Sequence, residues 1–237
     1  VRKIYSNGNQ VWSFTGHSSY VYGVAVDSSD YVYSGSFDDT VRKIYSNGNQ
    51  VWSFTGHSSY VYGVAVDSSD YVYSGSFDDT VRKIYSNGNQ VWSFTGHSGN
   101  VLGVAVDSSG YVYSGSYDDT VRKIYSNGNE VWSFTGHWSY VLGVAVDSDG
   151  YVYSGSVDNT VRKIDFNGNQ VWSFTGHSSY VRDVAVDSDG YVYSGSYDNT
   201  VRKIDSNGNE VWSFTGHSGS VYSVAVDPGK FVVAGNT

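Results

Sequence analysis

VYGVAVDSSDYVYSGSFDDTVRKIYSNGNQVWSFT, residues 21 to 55, decides how the chain is read. Val21–Val26, Tyr31–Ser36, Thr40–Tyr45 and Val51–Thr55 are short runs rich in β-branched and aromatic residues. Between them stand turn formers: Asp27-Ser28-Ser29-Asp30, Phe37-Asp38-Asp39 and Asn47-Gly48-Asn49. Runs of this length divided by such residues predict four strands. The Asn-Gly pair is a strong hairpin signal, because both residues accept a positive φ. No stretch carries the helical period, so no helix is predicted.

The same unit of forty residues is written six times, over 1–40, 41–80, 81–120, 121–160, 161–200 and 201–237. Val1–Thr40 recurs unchanged as Val41–Thr80, and the later units carry a handful of substitutions. A fixed period near forty residues marks a repeat architecture. Four-stranded sheets of even spacing bury both faces when they pack radially as blades. The predicted fold class is therefore all-β, a single six-bladed β-propeller over residues 1–237. Blade-on-blade contact accounts for apolar residues on both strand faces, Trp52 and Phe54 on one and Val51 on the other. Gly23, Val24, Ala25 and Val26 supply the small residues needed where six inner strands converge. The chain begins in a third strand (Val1 to Tyr5) and ends in a second (Phe231 to Asn236). The phase predicts that the termini meet inside one blade, two strands from each, as a seam closing the ring. Pro228, Lys230 and Asn236 depart from the repeat where the last strands finish.

Composition narrows the function. The net charge of −9 and the scattered basic residues argue against nucleic acid, whose binders carry basic stripes. There is no cysteine, hence no disulfide framework, thiolate metal site or cysteine nucleophile. No apolar run approaches the length of a membrane span. The sequence starts at Val1 without methionine, as a processed or tagged chain does, a removed signal peptide being one route. Abundant Tyr, Ser, Gly, Asn and Asp with little Lys favour an extracellular or cell-surface location.

The blades resemble the WD-repeat propeller superfamily along essentially the whole chain. Gly16-His17 before the first strand carries the resemblance, as do Ser34-Gly35-Ser36, Asp38, Thr40, Val41 and Arg42. The hallmark Trp-Asp that closes a third strand in that family is replaced by Ile44-Tyr45, and later by Ile164-Asp165 and Ile204-Asp205. The resemblance thus implies only part of the family's His-Ser-Asp-Trp tetrad. Val184 to Tyr193 is similar to NHL-repeat propellers, and Asn207 to Phe214 looks like the Trp-bearing blades of quinoprotein type. The resemblance implies a binding platform; which partner it takes does not follow from fold.

Sixfold residues read first as structure. His17, His57, His97, His137, His177 and His217 share one phase and are expected to tie each loop to the Ser and Asp of its own blade. The competing reading, a ring of metal ligands, needs convergence on an axis these loops stand away from. Asp147-Ser-Asp-Gly150 and Asp187-Ser-Asp-Gly190 lack the further ligands of a calcium loop, so no metal or cofactor is assigned. Each Arg-Lys pair is expected to meet the Asp turns or solvent, and each repeat Trp to pack between blades. No nucleophile elbow, zinc motif or unique carboxylate pair is present, and no enzyme is predicted.

What remains are the positions that break the repeat. Trp138 is the one tryptophan outside the pattern, and Arg182-Asp183 replaces Tyr-Gly. Gly99-Asn100, Leu102, Leu142, Val157, Asn159, Asn199, Ser220 and Ser223 cluster in the same loops and strand starts. With Tyr140 and Tyr180, the residues Trp138, Arg182 and Asp183 are expected to form an asymmetric patch on one face, where loops on a rigid scaffold bind. Drift after duplication is the alternative. The function read from the sequence is a non-catalytic scaffold presenting that face to a protein or glycan. Two alternatives stand beside it: a self-assembling structural subunit, and a newly amplified or designed repeat with no selected ligand.

Overall fold

The computed structural model of the chain describes residues 1–227 and 232–236, with the side chain of Asn236 left aside. Every regular element in them is a β-strand. β1 (Arg2–Ile4) and β2 (Gln10–Ser13) form a two-stranded sheet. The first full blade follows: β3 (Val21–Val26), β4 (Val32–Ser36), β5 (Val41–Ile44) and β6 (Gln50–Phe54). Blade two is β7 (Val61–Val66), β8 (Val72–Ser76), β9 (Val81–Ile84) and β10 (Gln90–Phe94). Blade three is β11 (Val101–Val106), β12 (Val112–Ser116), β13 (Val121–Ile124) and β14 (Glu130–Phe134). Blade four is β15 (Val141–Val146), β16 (Val152–Ser156), β17 (Val161–Ile164) and β18 (Gln170–Phe174). Blade five is β19 (Val181–Val186), β20 (Val192–Ser196), β21 (Val201–Ile204) and β22 (Glu210–Phe214). β23 (Val221–Val226) and β24 (Val232–Asn236) close the order as a second two-stranded sheet.

The strands predicted between Val21 and Thr55 are present, each end within one residue of its expected place. Their pairing is antiparallel throughout, with Val112 opposite Ile124, Tyr113 opposite Lys123, and Gly115 opposite Val121 in a representative ladder. Neighbouring blades meet through their first strands and bury one cluster at each junction. In one such cluster Tyr33, Val41 and Phe54 of blade one pack with Val61, Val72 and Ile84 of blade two. Ile84 is fully buried; burying such a side chain stabilises by about 1.5–3 kcal/mol. Trp12, Trp52, Trp92, Trp132 and Trp172 each span a junction, the Trp52 indole N–H donating to the Ser86 carbonyl of the next blade at 2.9 Å, whereas Trp212 is partly exposed at the end cleft.

Turn chemistry is equally periodic. Asp27 accepts from the Ser29 and Tyr31 amides at 2.9 Å and from the buried Tyr33 hydroxyl at 2.8 Å. Burial first, and the Asp27 bond second, push the Tyr33 phenol far above its usual range. Asp39, Asp79 and Asp119 share a left-handed φ with Asn159 and Asn199. Short polar side chains tolerate that region, so the exchange of Asp for Asn there is a conservative one for the turn.

Among the described residues β1–β2 and β23–β24 pair as separate two-stranded sheets, and the seam expected between the termini is not seen in them. The first is held to blade one by the Trp12 indole, 2.8 Å from the Ser46 carbonyl, the bond that every later Trp-bearing junction repeats. The second is held to blade five by contacts of β23 with β19 and β20. Each half keeps the position that the repeat gives it beside its own neighbour. Of the three terminal departures, Pro228 and Lys230 lie outside the described residues, as does the Asn236 side chain.

Candidate functional site

Beneath the loops of one face lies a polar network built five times over. In blade two the His57 Nδ1–H meets Asp78 Oδ2 at 2.9 Å, and Nε2 accepts from the Ser74 hydroxyl at 2.8 Å. Thr80 Oγ1 donates to Asp78 Oδ1 at 2.6 Å and the Ser58 amide to Oδ2 at 3.0 Å. Arg82 approaches the same carboxylate at 3.4 Å. The sequence expectation of a His–Ser–Asp tie holds for His17, His57, His97, His137 and His177, with Thr80 and Arg82 completing the partners in blade two where the family's Trp is missing, but not for His217, where Ala234 stands in the serine's place.

The electrostatics follow from burial. Desolvation lowers the His57 pKa, although the Asp78 bond and charge oppose it. For Asp38 in blade one burial works upward, but the Thr40, Ser18 and His17 bonds outweigh it and hold the carboxyl down to about 2. A serine, a histidine and an aspartate thus stand in the order of a hydrolytic triad. The serine cannot act as a nucleophile on an outside substrate, because Ser74 is fully buried within the sheet. The network is a structural tie.

The Lys of each Arg-Lys pair is also spent internally. Lys43 is nearly buried, with Nζ 4.0 Å from the centre of the Tyr31 ring and 5.2 Å from that of Tyr33. Arg42 turns to the other face, towards Asp38 and Gln50. The Asp147 carboxylate, weighed as a calcium ligand, is taken up by the Asp149 and Tyr151 amides and the Tyr153 hydroxyl. Among the described residues no cluster of acidic and histidine groups is arranged to hold a metal ion.

The residues that break the repeat fall into two places. The first is the mouth of an axial cavity of about 460 Å³, lined by the starts of the inner strands. Arg182 is the one cation among its described lining residues. Its guanidinium lies 5.1 Å from the centre of the Tyr62 ring, reaching from β19 to β7. Tyr62 stacks in turn on Tyr22 at 4.2 Å. On the other side Tyr197 and Tyr222 approach to 5.1 Å. Burial, then the bond to Tyr222, raises the Tyr197 phenol to about 12.

Asp183 stands where blades one to four carry Gly23, Gly63, Gly103 and Gly143. Those glycines are points of close approach: a Cβ on Gly103 would sit 2.7 Å from Val144 Cγ2. At the last junction the Asp183 carboxylate fills that space and accepts from the Val224 amide and the Ser223 hydroxyl, both at 3.0 Å. Burial pushes this carboxyl up, against the pull of those bonds. Asp183 is therefore a tie between β19 and β23 as well as a lining residue.

The second place is a cleft of about 440 Å³ with Trp138 at its edge, together with Asp158, Asn159, Arg162 and His177. The Trp138 amide keeps the repeat's role, donating to Asp158 Oδ2 at 3.1 Å, while its ring is 87% exposed. Tyr140 stacks on Tyr117 at 4.2 Å and Tyr180 leans on Tyr197 at 5.7 Å. The expected single patch is thus divided: Arg182 and Asp183 belong to the axial mouth, and Trp138 to a separate cleft. Tyr22, Tyr62 and Tyr222 are mouth residues that sequence reasoning left out. Their signal was present, since this position alternates between Tyr, Leu and Arg along the repeats.

One further break is purely structural. Asn100 Nδ2 donates to Asp79 Oδ1 at 3.0 Å and to the Phe77 carbonyl at 2.7 Å. The corresponding Oδ1 atoms of Asp39, Asp119 and Asn159 are buried without such a partner.

Comparison with known proteins agrees with this architecture. A family model described as outer membrane protein assembly factor BamB matches residues 78–178 and 117–237. One described as WD domain, G-beta repeat, matches residues 8–43 and 48–83. Among solved structures the chain is similar to the WD40 β-propeller domain of Doa1, with a TM-score of 0.83 and 26% identity. That likeness covers 94% of this chain and 78% of the other. No curated protein matches the sequence.

Proposed function

The chain belongs to the propeller family described by the BamB model, with WD-type blades, and we propose that it is a non-catalytic scaffold that binds protein at the mouth of its axial cavity. Propellers of the WD type generally serve as protein-interaction scaffolds, and residues 1–237 act here as one such domain. The observation that carries the reading is the meeting of Arg182 with the tyrosines of the mouth.

In the five complete blades the other cations are committed to acidic side chains or to tyrosine rings. Arg182 faces a concave, half-apolar surface on an otherwise acidic chain. A guanidinium held over an aromatic face keeps donors for a carboxylate. Stacked tyrosines around it supply rigid contact area at small cost in side-chain freedom. The partner this mouth suits is a peptide segment that presents an acidic side chain between apolar or aromatic ones.

Panning a randomised peptide display library on the chain tests the proposal. Enriched sequences should carry Asp or Glu beside aromatic residues. Their affinity should fall at least tenfold for Arg182→Tyr, which restores the residue of the repeat. Enrichment without acidic residues, or binding indifferent to Arg182→Tyr, contradicts the reading.

A further inference from the structure

The same residues that are sealed inside the molecule are exposed at its two ends. Phe54, Phe94, Phe134 and Phe174 are 7–8% exposed, but Phe214 is 51% exposed. Ile44, Ile84, Ile124 and Ile164 are fully buried, and Ile4 is 58% exposed. Val24 on β3 is 53% exposed where Val144, Val184 and Val224 are buried. A Cβ on Gly115 or Gly155 would press on a valine of the next blade at 2.7 Å, while Gly235 has no atom within 4 Å. Beside β23–β24 an apolar cleft of about 650 Å³ is lined by Val201, Trp212, Phe214, His217, Val232 and Ala234.

We propose that these two ends dock head to tail between copies of this chain, so that β23–β24 of one copy and β1–β2 of another complete a four-stranded blade. The occupant follows from continuity with the internal junctions. In every complete blade the second strand pairs with the third in one register, Val112 with Ile124 through Gly115 with Val121. Continued across the ends, that register sets Val232 opposite Ile4, Val233 opposite Lys3, and Ala234 opposite Arg2. The incoming Ile4 then meets Phe214, as Ile84 meets Phe54 within one chain. The incoming Val21 and Val24 cover Gly235, as Val61 and Val64 cover Gly35. All the exposed groups named above are covered by one docking step.

Docking between copies is favoured over closure within one because Ile4, Val24 and Phe214, which a closed ring would bury, stand exposed in the single chain. β1–β2 is tied through Trp12 to blade one, and β23 through Asp183 to blade five. Among the described residues β24 pairs with β23 alone. An open strand edge is a template for pairing with another chain. A head-to-tail contact of this kind joins copies into a ring if the rotation closes and into a filament if it does not.

The chain has no cysteine, which allows a clean crosslinking test. Val233→Cys and Lys3→Cys are made as two separate proteins, mixed and oxidised. The proposal expects a mixed disulfide between the two, resolved on a non-reducing gel and abolished when either variant is oxidised with the unaltered chain. The double variant should give covalent multimers rather than a compact monomer. Light scattering of the unaltered chain, which depends on no substitution, should give a mass that grows with concentration. A monomeric mass at every concentration overturns the proposal, and so does an internal crosslink in the double variant without multimers. Peptide binding at the axial mouth is read separately, so failure of either idea leaves the other standing.

Discussion

His137 and Trp138 are neighbours in the chain and opposites in the structure. His137 is buried, bonded on both ring nitrogens, and repeated at one phase in every unit. Trp138 is almost fully exposed and occurs at its position once. The network below the loops is the part of the molecule that repetition explains. The loop face and axial mouth are where it fails to explain, and there Trp138 is left almost fully exposed while Leu102 and Leu142 are buried. The contrast sets a region that repetition accounts for against the region where the proposed recognition would lie.

The largest effect should come from breaking the network. Asp78→Ala leaves His57, Thr80 and the Ser58 amide without their common acceptor. Removing one partner of a buried pair costs about 3–5 kcal/mol, to be read as a shift in the urea midpoint. The same change at Asp118 or Asp158 should cost a similar amount, since the bonds are the same.

The network also fixes the direction of pH dependence. His17, His57, His137 and His177 have lowered pKa values in the fold, so the unfolded chain binds protons first as pH falls below about 6.5. Stability should therefore decline as pH falls from there through the folded histidine pKa. The aspartates add a second loss, between their unfolded value near 4 and the folded value of about 2 seen for Asp38. Thermal melts from pH 8 to pH 2 should show midpoints falling monotonically. A midpoint that rises on acidification through pH 6 would contradict the assignment of neutral histidines.

Smaller effects sharpen the contrast. Gly103→Ala drives a methyl against Val144, and overpacking of this kind costs about 1–3 kcal/mol in a chemical melt. Asn100→Tyr, a return to the repeat, removes the bonds to Asp79 and Phe77 and should cost about 0.5–1.5 kcal/mol per bond lost. Trp138→Ser should change stability by no more than about 0.5 kcal/mol, because its ring is in solvent. A cost comparable to that of Asp78→Ala would mean that Trp138 belongs to the fold.

Much of this was legible in the residues. Strand positions follow from alternating β-formers and turn residues, and the tie from His to Ser and Asp follows from its sixfold phase. The packing of the repeat tryptophans between blades is legible in the same way, though not their indole bonds to the next blade. What escaped depends on reach across the fold. Arg182 meets Tyr62 three blades away, a contact no local spacing announces. Trp138 and Arg182 seemed to share a face, but inner-strand starts and outer loops lead to different cavities. Strand phase says which terminal strands lack partners, not how β1–β2 and β23–β24 are anchored beside blades one and five. Thr80 entered the His57 network because the turn places its hydroxyl 2.6 Å from Asp78.

The most direct measurement is to return Trp138, Arg182 and Asp183 to Ser, Tyr and Gly in one protein and measure two quantities. These are the affinity for peptides selected on the unaltered chain and the urea midpoint. The account predicts that affinity falls at least tenfold while cooperative unfolding is retained, with a midpoint shift smaller than that of Asp78→Ala. Unchanged peptide affinity in a folded protein would contradict it, and would return these residues to drift within a repeated fold.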